Sequence, residues 1–143
     1  MVAVLPALDV RFANMRILQS AVPNTRVLLY RDEDGSVPFL EWFATLPARA
    51  KDRCRIRMER LSQLGHELRR PEADYLRNGI YELRASVSGL HYRILYFFYG
   101  KAAVVISHGL MKQREVPARE IERAIRCKAR FEGDVVKHTH AEE

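Results

Sequence analysis

The chain has 143 residues, 48% hydrophobic and 29% charged. That is enough for one domain with its own core, too short for two comfortable ones, and unlike a disordered polypeptide. No apolar run reaches the ~20 residues of a membrane span, and Met1 to Asp9 lack the basic start and long apolar stretch of a secretory leader, so a cytoplasmic protein without membrane contact is expected. The formal charge of +6 favours an anionic partner, of which nucleic acid is the commonest for a small basic domain.

Residues 1–24 have no clear period; Val10 to Ser20 is a possible short helix between Pro6 and Pro23, and the segment reads as a poorly specified arm. Thr25 to Tyr30 is a β-branched and apolar run closed by Asp32-Glu33-Asp34-Gly35, which predicts a first strand and a turn. Ser36 is placed as an N-cap, followed by Pro38 and by Phe39, Trp42, Phe43 and Leu46 on one helical face. Pro47 restarts a helix whose buried stripe is Ala50, Cys54, Met58, Leu61 and Leu64, ending at Gly65. Its other faces are crowded with Arg49, Lys51, Arg53, Arg55, Arg57 and Arg60, against Asp52 and Glu59 alone. His66 to Asn78 is read as irregular, with Asn78-Gly79 as a turn.

Three strands follow, joined at Ser88-Gly89 and Gly100-Lys101 and running through Ile80–Ala85, His91–Phe98 and Ala102–His108. Gly109 to Val116 is read as a basic connection, and Pro117 opens a last helix ending at Gly133. Asp134 to Glu143 is expected to be a frayed polar tail. The expected organisation is an arm (1–24), a domain (25–132) and a tail (133–143). The expected fold class is α+β, an antiparallel sheet in β-α-α-β-β-β-α order with helices on one face.

Two-residue loops at both turns put Arg84 opposite Arg93 and Arg93 opposite His108, one row on one face, about 5 Å apart at Cβ. Opposed arginines repel unless a carboxylate such as Glu82 pairs with them or an anion occupies the row. Arginine forks match phosphate oxygens, and histidine exchanges a proton near neutral pH. The set suits metal-free RNA cleavage: the 2′-hydroxyl attacks its own phosphate, Arg84 and Arg93 stabilise the charge, and His108, with Glu82 in reserve, moves the proton. Lys112 and Arg114 in the basic connection, and Arg53 and Arg57 on the helix, are candidate phosphate contacts. Cys54 and Cys127 stand far from any His or Cys at ligand spacing and read as core residues. No metal and no cofactor is expected.

Leu40-Glu41-Trp42-Phe43, Leu46-Pro47, Gly79-Ile80-Tyr81-Glu82-Leu83-Arg84, Tyr92-Arg93-Ile94-Leu95-Tyr96-Phe97 and His108-Gly109-Leu110-Met111-Lys112 together resemble the phage-derived Gp49-like, HigB-type toxins of the RelE/ParE superfamily. The resemblance implies a RelE-like fold and the toxin of a type II toxin–antitoxin pair. It further implies cleavage of mRNA on the ribosome and neutralisation by a cognate antitoxin, often a helix-turn-helix protein. Arg84, Arg93, His108 and Lys112 match the positions the family uses. Gln113 stands where a second basic residue is usual, and Val116-Pro117 where a tyrosine is found. The competing readings are a ParE-like gyrase inhibitor that cleaves nothing, and an inactive phage-derived binding module.

Overall fold

A computed structural model describes residues 25–112 and 114–141; the arm 1–24 and Gln113 lie outside the described residues. Strand β1 (Arg26–Leu29) leads into helices α1 (Pro38–Ala44) and α2 (Ala48–Leu64) and a single 3-10 turn, Gly65–Glu67. Strands β2 (Ala73–Arg77), β3 (Ile80–Val87), β4 (Leu90–Tyr99) and β5 (Ala103–Met111) follow, then helix α3 (Ala118–Gly133). The sheet order is β1-β5-β4-β3-β2, with β1 parallel to β5 and the other neighbours antiparallel. The class is α+β as expected.

Three expectations about architecture are corrected. Among the described residues the sheet is mixed and has five strands, because Ala73–Arg77 pairs with β3 across Asn78-Gly79. Both of those turn residues have positive φ (52° and 83°), the geometry of a tight hairpin that Asn-Gly favours. The helices lie on both faces. Helices α1 and α2 pack with Leu29, Leu83, Ile94, Tyr96, Val104 and Ile106, whereas α3 packs with Leu28, Ile80, Leu95, Phe97 and Val105. Successive residues of β4 and β5 are therefore buried on alternate sides, which is why both strands read as unbroken apolar runs. Cys54 and Cys127 are buried, unbridged and in different clusters.

The third correction is the C-terminal segment. Thr139 bridges Tyr30, Arg31 N–H donates to the His138 carbonyl (2.8 Å), and His140 N–H donates to the Leu29 carbonyl (2.8 Å). The His138 ring stacks on Tyr30 with centroids 5.4 Å apart. This segment pairs along the outer edge of β1, which among the described residues has no other strand beside it. Ser36 is not the N-cap of α1 either: Val37 holds that position, and the Ser36 hydroxyl donates to Asp34 Oδ1 (2.7 Å).

Strand β5 runs on through Gly109 to Met111, so the expected connection begins later. Gly109 is required by packing: a Cβ there would overlap the Trp42 ring of α1. Gly109→Ala is expected to lower stability by about 1–3 kcal/mol, the usual range for overpacking. Trp42→Leu in the same chain should recover part of the loss. Urea unfolding of the three variants checks this.

Candidate active site

Ser88 and Gly89 both take positive φ (53° and 83°), so the loop is a two-residue turn and sets the register. Arg84 pairs with Arg93, Glu82 with Leu95, and Val87 with Leu90. The β4–β5 side differs from the expected register. Tyr99 pairs with Ala103, making that loop one residue longer, and Ser107 is an extra residue between Ile106 and His108. The two single-residue shifts add to two. His108 therefore stays on the expected face but moves one row along, opposite Leu95, and Arg93 faces Leu110.

On that face the charges alternate along a chain of contacts. Arg70 Nε donates to Asp74 Oδ2 (2.9 Å), and Arg84 Nη2 reaches the same oxygen at 3.3 Å. Arg84 Nε donates to Glu82 Oε2 (2.7 Å), and Arg93 Nε lies 3.3 Å from Glu82 Oε1. The Glu82 side chain is 6% exposed, Arg93 13% and Arg84 32%. One carboxylate thus separates the two opposed guanidiniums. The Arg93 Nε–H is close enough to Glu82 for an ion pair but misaligned for a hydrogen bond, so this buried donor is unsatisfied. Arg93 has its hydrogen bond through Nη1, to the Tyr92 carbonyl (3.2 Å).

Glu82, Arg84 and Arg93 line an open cleft of about 530 Å3 between the β2–β4 side of the sheet and the segment leading into α3. Arg114 lines the same cleft, so the structure joins it to the sheet arginines, and Asp74 and Glu115 are also in the wall. The cleft's three arginines face three carboxylates. Its capacity for an anion therefore rests on aimed donors more than on excess charge.

The remaining candidates lie elsewhere. His108 is 1% exposed and does not line the cleft. Its Nε2 donates to Glu120 Oε1 of α3 (2.9 Å), and its Nδ1 accepts from the Ser107 hydroxyl (2.8 Å). Burial, helped by Arg123, pushes the His108 pKa down to about 4. Ser, His and Glu in a row are the residue types of a hydrolase triad, but Ser107 is fully buried and does not line the cleft. Lys112 sits beside Leu90, His91 and Met111 near the β3–β4 turn, where its N–H donates to the His91 carbonyl (3.0 Å). Arg57 Nε donates to the Arg84 carbonyl (2.7 Å) and Arg53 Nη1 to the Ser86 carbonyl (3.3 Å). Arg57 and Arg60 also pair with Glu72, which offsets the positive face expected of α2.

Sequence reasoning missed Asp74, Glu115 and Glu120. Asn78-Gly79 was the available signal for Asp74, since a hairpin there puts Asp74 opposite Glu82. Nothing local marks Glu120 as the partner of a histidine on another element.

Residues 41–129 match the family model described as phage-derived protein Gp49-like. The chain belongs to the Gp49-like family. This is a RelE/HigB-type toxin-like family, which makes the chain a toxin-like protein of toxin–antitoxin type and implies a cognate antitoxin. No curated protein matches the chain. The matched span of this Gp49-like protein contains Glu82, Arg84 and Arg93, and leaves out β1 and the C-terminal segment that pairs with it. Among the described residues no helix is long and apolar enough to cross a membrane.

His108 gives the Gp49-like fold a pH dependence with a defined sign. An unfolded histidine takes up a proton near 6.5, whereas folded His108, facing Glu120, Ser107 and Arg123, resists it until about 4. Between those values the unfolded state binds more protons, so stability falls as pH falls and is restored above 6.5. The expected loss is up to about 3 kcal/mol, from the size of the shift. Denaturant unfolding across pH 4 to 7 should show this slope in the wild type and a flatter one in His108→Gln.

Proposed function

We propose that this protein is the toxin of a type II toxin–antitoxin pair and a metal-independent endoribonuclease that cleaves mRNA on the ribosome. We further propose that it acts in the cytoplasm and is neutralised by a helix-turn-helix antitoxin. The observation that carries the reading is the Glu82 carboxylate held between Arg84 and Arg93 in an open cleft. A carboxylate can accept the proton of a ribose 2′-hydroxyl, and guanidiniums beside it bind the phosphate that the hydroxyl attacks.

In this mechanism Glu82 takes the 2′-proton as the 2′-oxygen bonds to phosphorus. Arg84 and Arg93 stabilise the pentacoordinate phosphate, released toward it as the carboxylate between them loses its charge to the 2′-proton. The P–O5′ bond then breaks, and solvent in the open cleft protonates the leaving oxygen. The products are a 2′,3′-cyclic phosphate and a 5′-hydroxyl. Arg114 is a phosphate contact at the rim. His108 is a positioning residue that ties α3, and with it the cleft wall, to the sheet. Arg57 positions Arg84 through its carbonyl, and Arg53 holds the neighbouring backbone at Ser86. Lys112 stands apart from the cleft, as a contact for RNA beyond the cleaved bond.

Expression of the wild type should arrest growth and create new transcript ends carrying a 5′-hydroxyl. Arg93→Ala is expected to lower cleavage by about 100-fold or more, in the range for removing a transition-state donor; Arg93→Lys, which keeps the charge, provides a folded comparison. Glu82→Gln should abolish cleavage and also leave Arg93 without its carboxylate and Arg84 with Asp74 alone. Its melting temperature should drop, and should rise more with added inorganic phosphate than that of the wild type. Growth arrest with DNA-damage signalling and no new RNA ends would replace the nuclease by a gyrase inhibitor.

A further inference from the structure

The face of β2 and β3 opposite the arginines carries aromatic rings. Tyr75, Tyr81 and Tyr96 are directly paired across β2, β3 and β4, with ring centroids 5.0 and 5.4 Å apart. Phe98 continues the cluster, and the His66 ring stacks on it with centroids 3.6 Å apart. Burial decreases toward the sheet edge: Tyr96 is 1% exposed, Tyr81 is half-buried, and Tyr75 is 52% exposed. Core packing accounts for Tyr96. It does not account for a tyrosine kept half in solvent at the edge. The Tyr75 hydroxyl accepts the Gly79 N–H (3.1 Å), so the hairpin that forms β2 also fixes the attitude of its ring.

A second cleft, of about 560 Å3, opens over this edge. Its wall includes Tyr75, Tyr81 and His66, with the exposed Arg69 and Arg70 above them. Asp74 and Tyr75 line this cleft and the one holding Glu82, so the two meet across a single edge strand. Arg70 Nε pairs with Asp74 and screens the carboxylate at the junction. Exposed aromatic rings beside arginines are what single-stranded nucleic acid uses, bases stacking on rings and phosphates meeting guanidiniums.

We propose that the second cleft is a subsite for the nucleotides of single-stranded RNA flanking the cleaved phosphate. A base stacks on Tyr75, and its phosphates lie against Arg69 and Arg70. The RNA crosses the sheet edge at β2 to pass from one cleft to the other. This rests on the nuclease reading of the first cleft, which it extends by naming the surface that holds the strand.

The test is fluorescence anisotropy with 2′-O-methyl RNA, which lacks the attacking hydroxyl and stays intact. Probes of about 3 and about 12 nucleotides separate one cleft from both, since stacking sites act base by base. Tyr75→Ala is expected to weaken the longer probe about tenfold or more, at the scale of one lost base stack. Tyr75→Phe, which keeps the ring but loses the Gly79 contact that orients it, should bind between the wild type and Tyr75→Ala. Arg69→Ala should weaken the longer probe and reduce its salt dependence, and a double-stranded probe should ignore Tyr75. Equal binding by Tyr75→Ala, Arg69→Ala and the wild type, or no wild-type binding of the longer probe, overturns the subsite. Transcript cleavage that persists in those variants, and disappears in Arg93→Ala, would leave the nuclease reading standing. Unchanged RNA binding together with failed antitoxin neutralisation in Tyr75→Ala would assign the edge to the antitoxin and overturn the subsite as well.

Discussion

Two arginines are forced into direct opposition by a two-residue turn, and one carboxylate makes that arrangement tolerable. The positive φ of Ser88 and Gly89 fixes the register, so Arg84 and Arg93 cannot separate without unpairing β3 from β4. Glu82 reaches both because it lies on the same face, two residues before Arg84. A buried charge group of this kind adds little net stability against an apolar replacement, but breaking it by removing one partner is costly. It leaves a carboxylate already desolvated and flanked by donors. An incoming phosphate would compete with that carboxylate for the same guanidiniums.

The rest of the face depends on how the β4–β5 pair is offset. The extra residue at Ser107 places Ser107 and His108 together under α3, where His108 meets Glu120. That contact anchors the N-terminal part of α3, and residues just before and within the helix, Val116 and Ile121, form part of the cleft wall. A neutral histidine suits this position better than a charged one: both ring nitrogens have partners, and burial opposes protonation. The same burial keeps its ring out of the cleft wall. In sequence His108 is the first candidate for moving the proton and Glu82 the reserve; in the fold His108 holds the wall and Glu82 lines the opening.

What was legible in the sequence follows from how local each signal is. The Arg84–Arg93 pairing was readable because two residues, Ser88 and Gly89, determine it. The helices were readable because Ala50, Cys54, Met58 and Leu61 repeat at helical spacing. The position of His108 was not, because a bulge at Ser107 has no local signature and a loop one residue longer changes every later pairing. Strand β2 was hidden by its short, mixed composition, Ala-Asp-Tyr-Leu-Arg, although Asn78-Gly79 after it is a strong hairpin sign. The second helix layer was missed for a different reason: strands buried on both faces lose the alternation that tells which face a helix covers. The C-terminal segment looks like a tail in sequence, and only its pairing with β1 shows otherwise.

A sheet covered on both faces can present chemistry only where the cover leaves a gap, and here the gap lies over β2–β4 beside the segment leading into α3. Strand β2 stops short, so β3 carbonyls beyond it would be left bare. Arg57 and Arg53 reach across from α2 to the carbonyls of Arg84 and Ser86, and the Glu72 carbonyl accepts the Arg84 N–H. Arginines that read as a basic surface in sequence are thus closing a sheet edge and pairing with Glu72. Net charge is for this reason a poor guide to where an anion binds in this fold. The better guide is a donor whose acceptor is misaligned, and at the cleft that is the Nε–H of Arg93 beside Glu82. That N–H is shut off from solvent and held by the ion pair with Glu82 alone, so a shift or protonation of the carboxylate is what would free the guanidinium for another anion. The candidate site is therefore marked by this imperfect pairing beside Glu82 and not by the excess of basic residues.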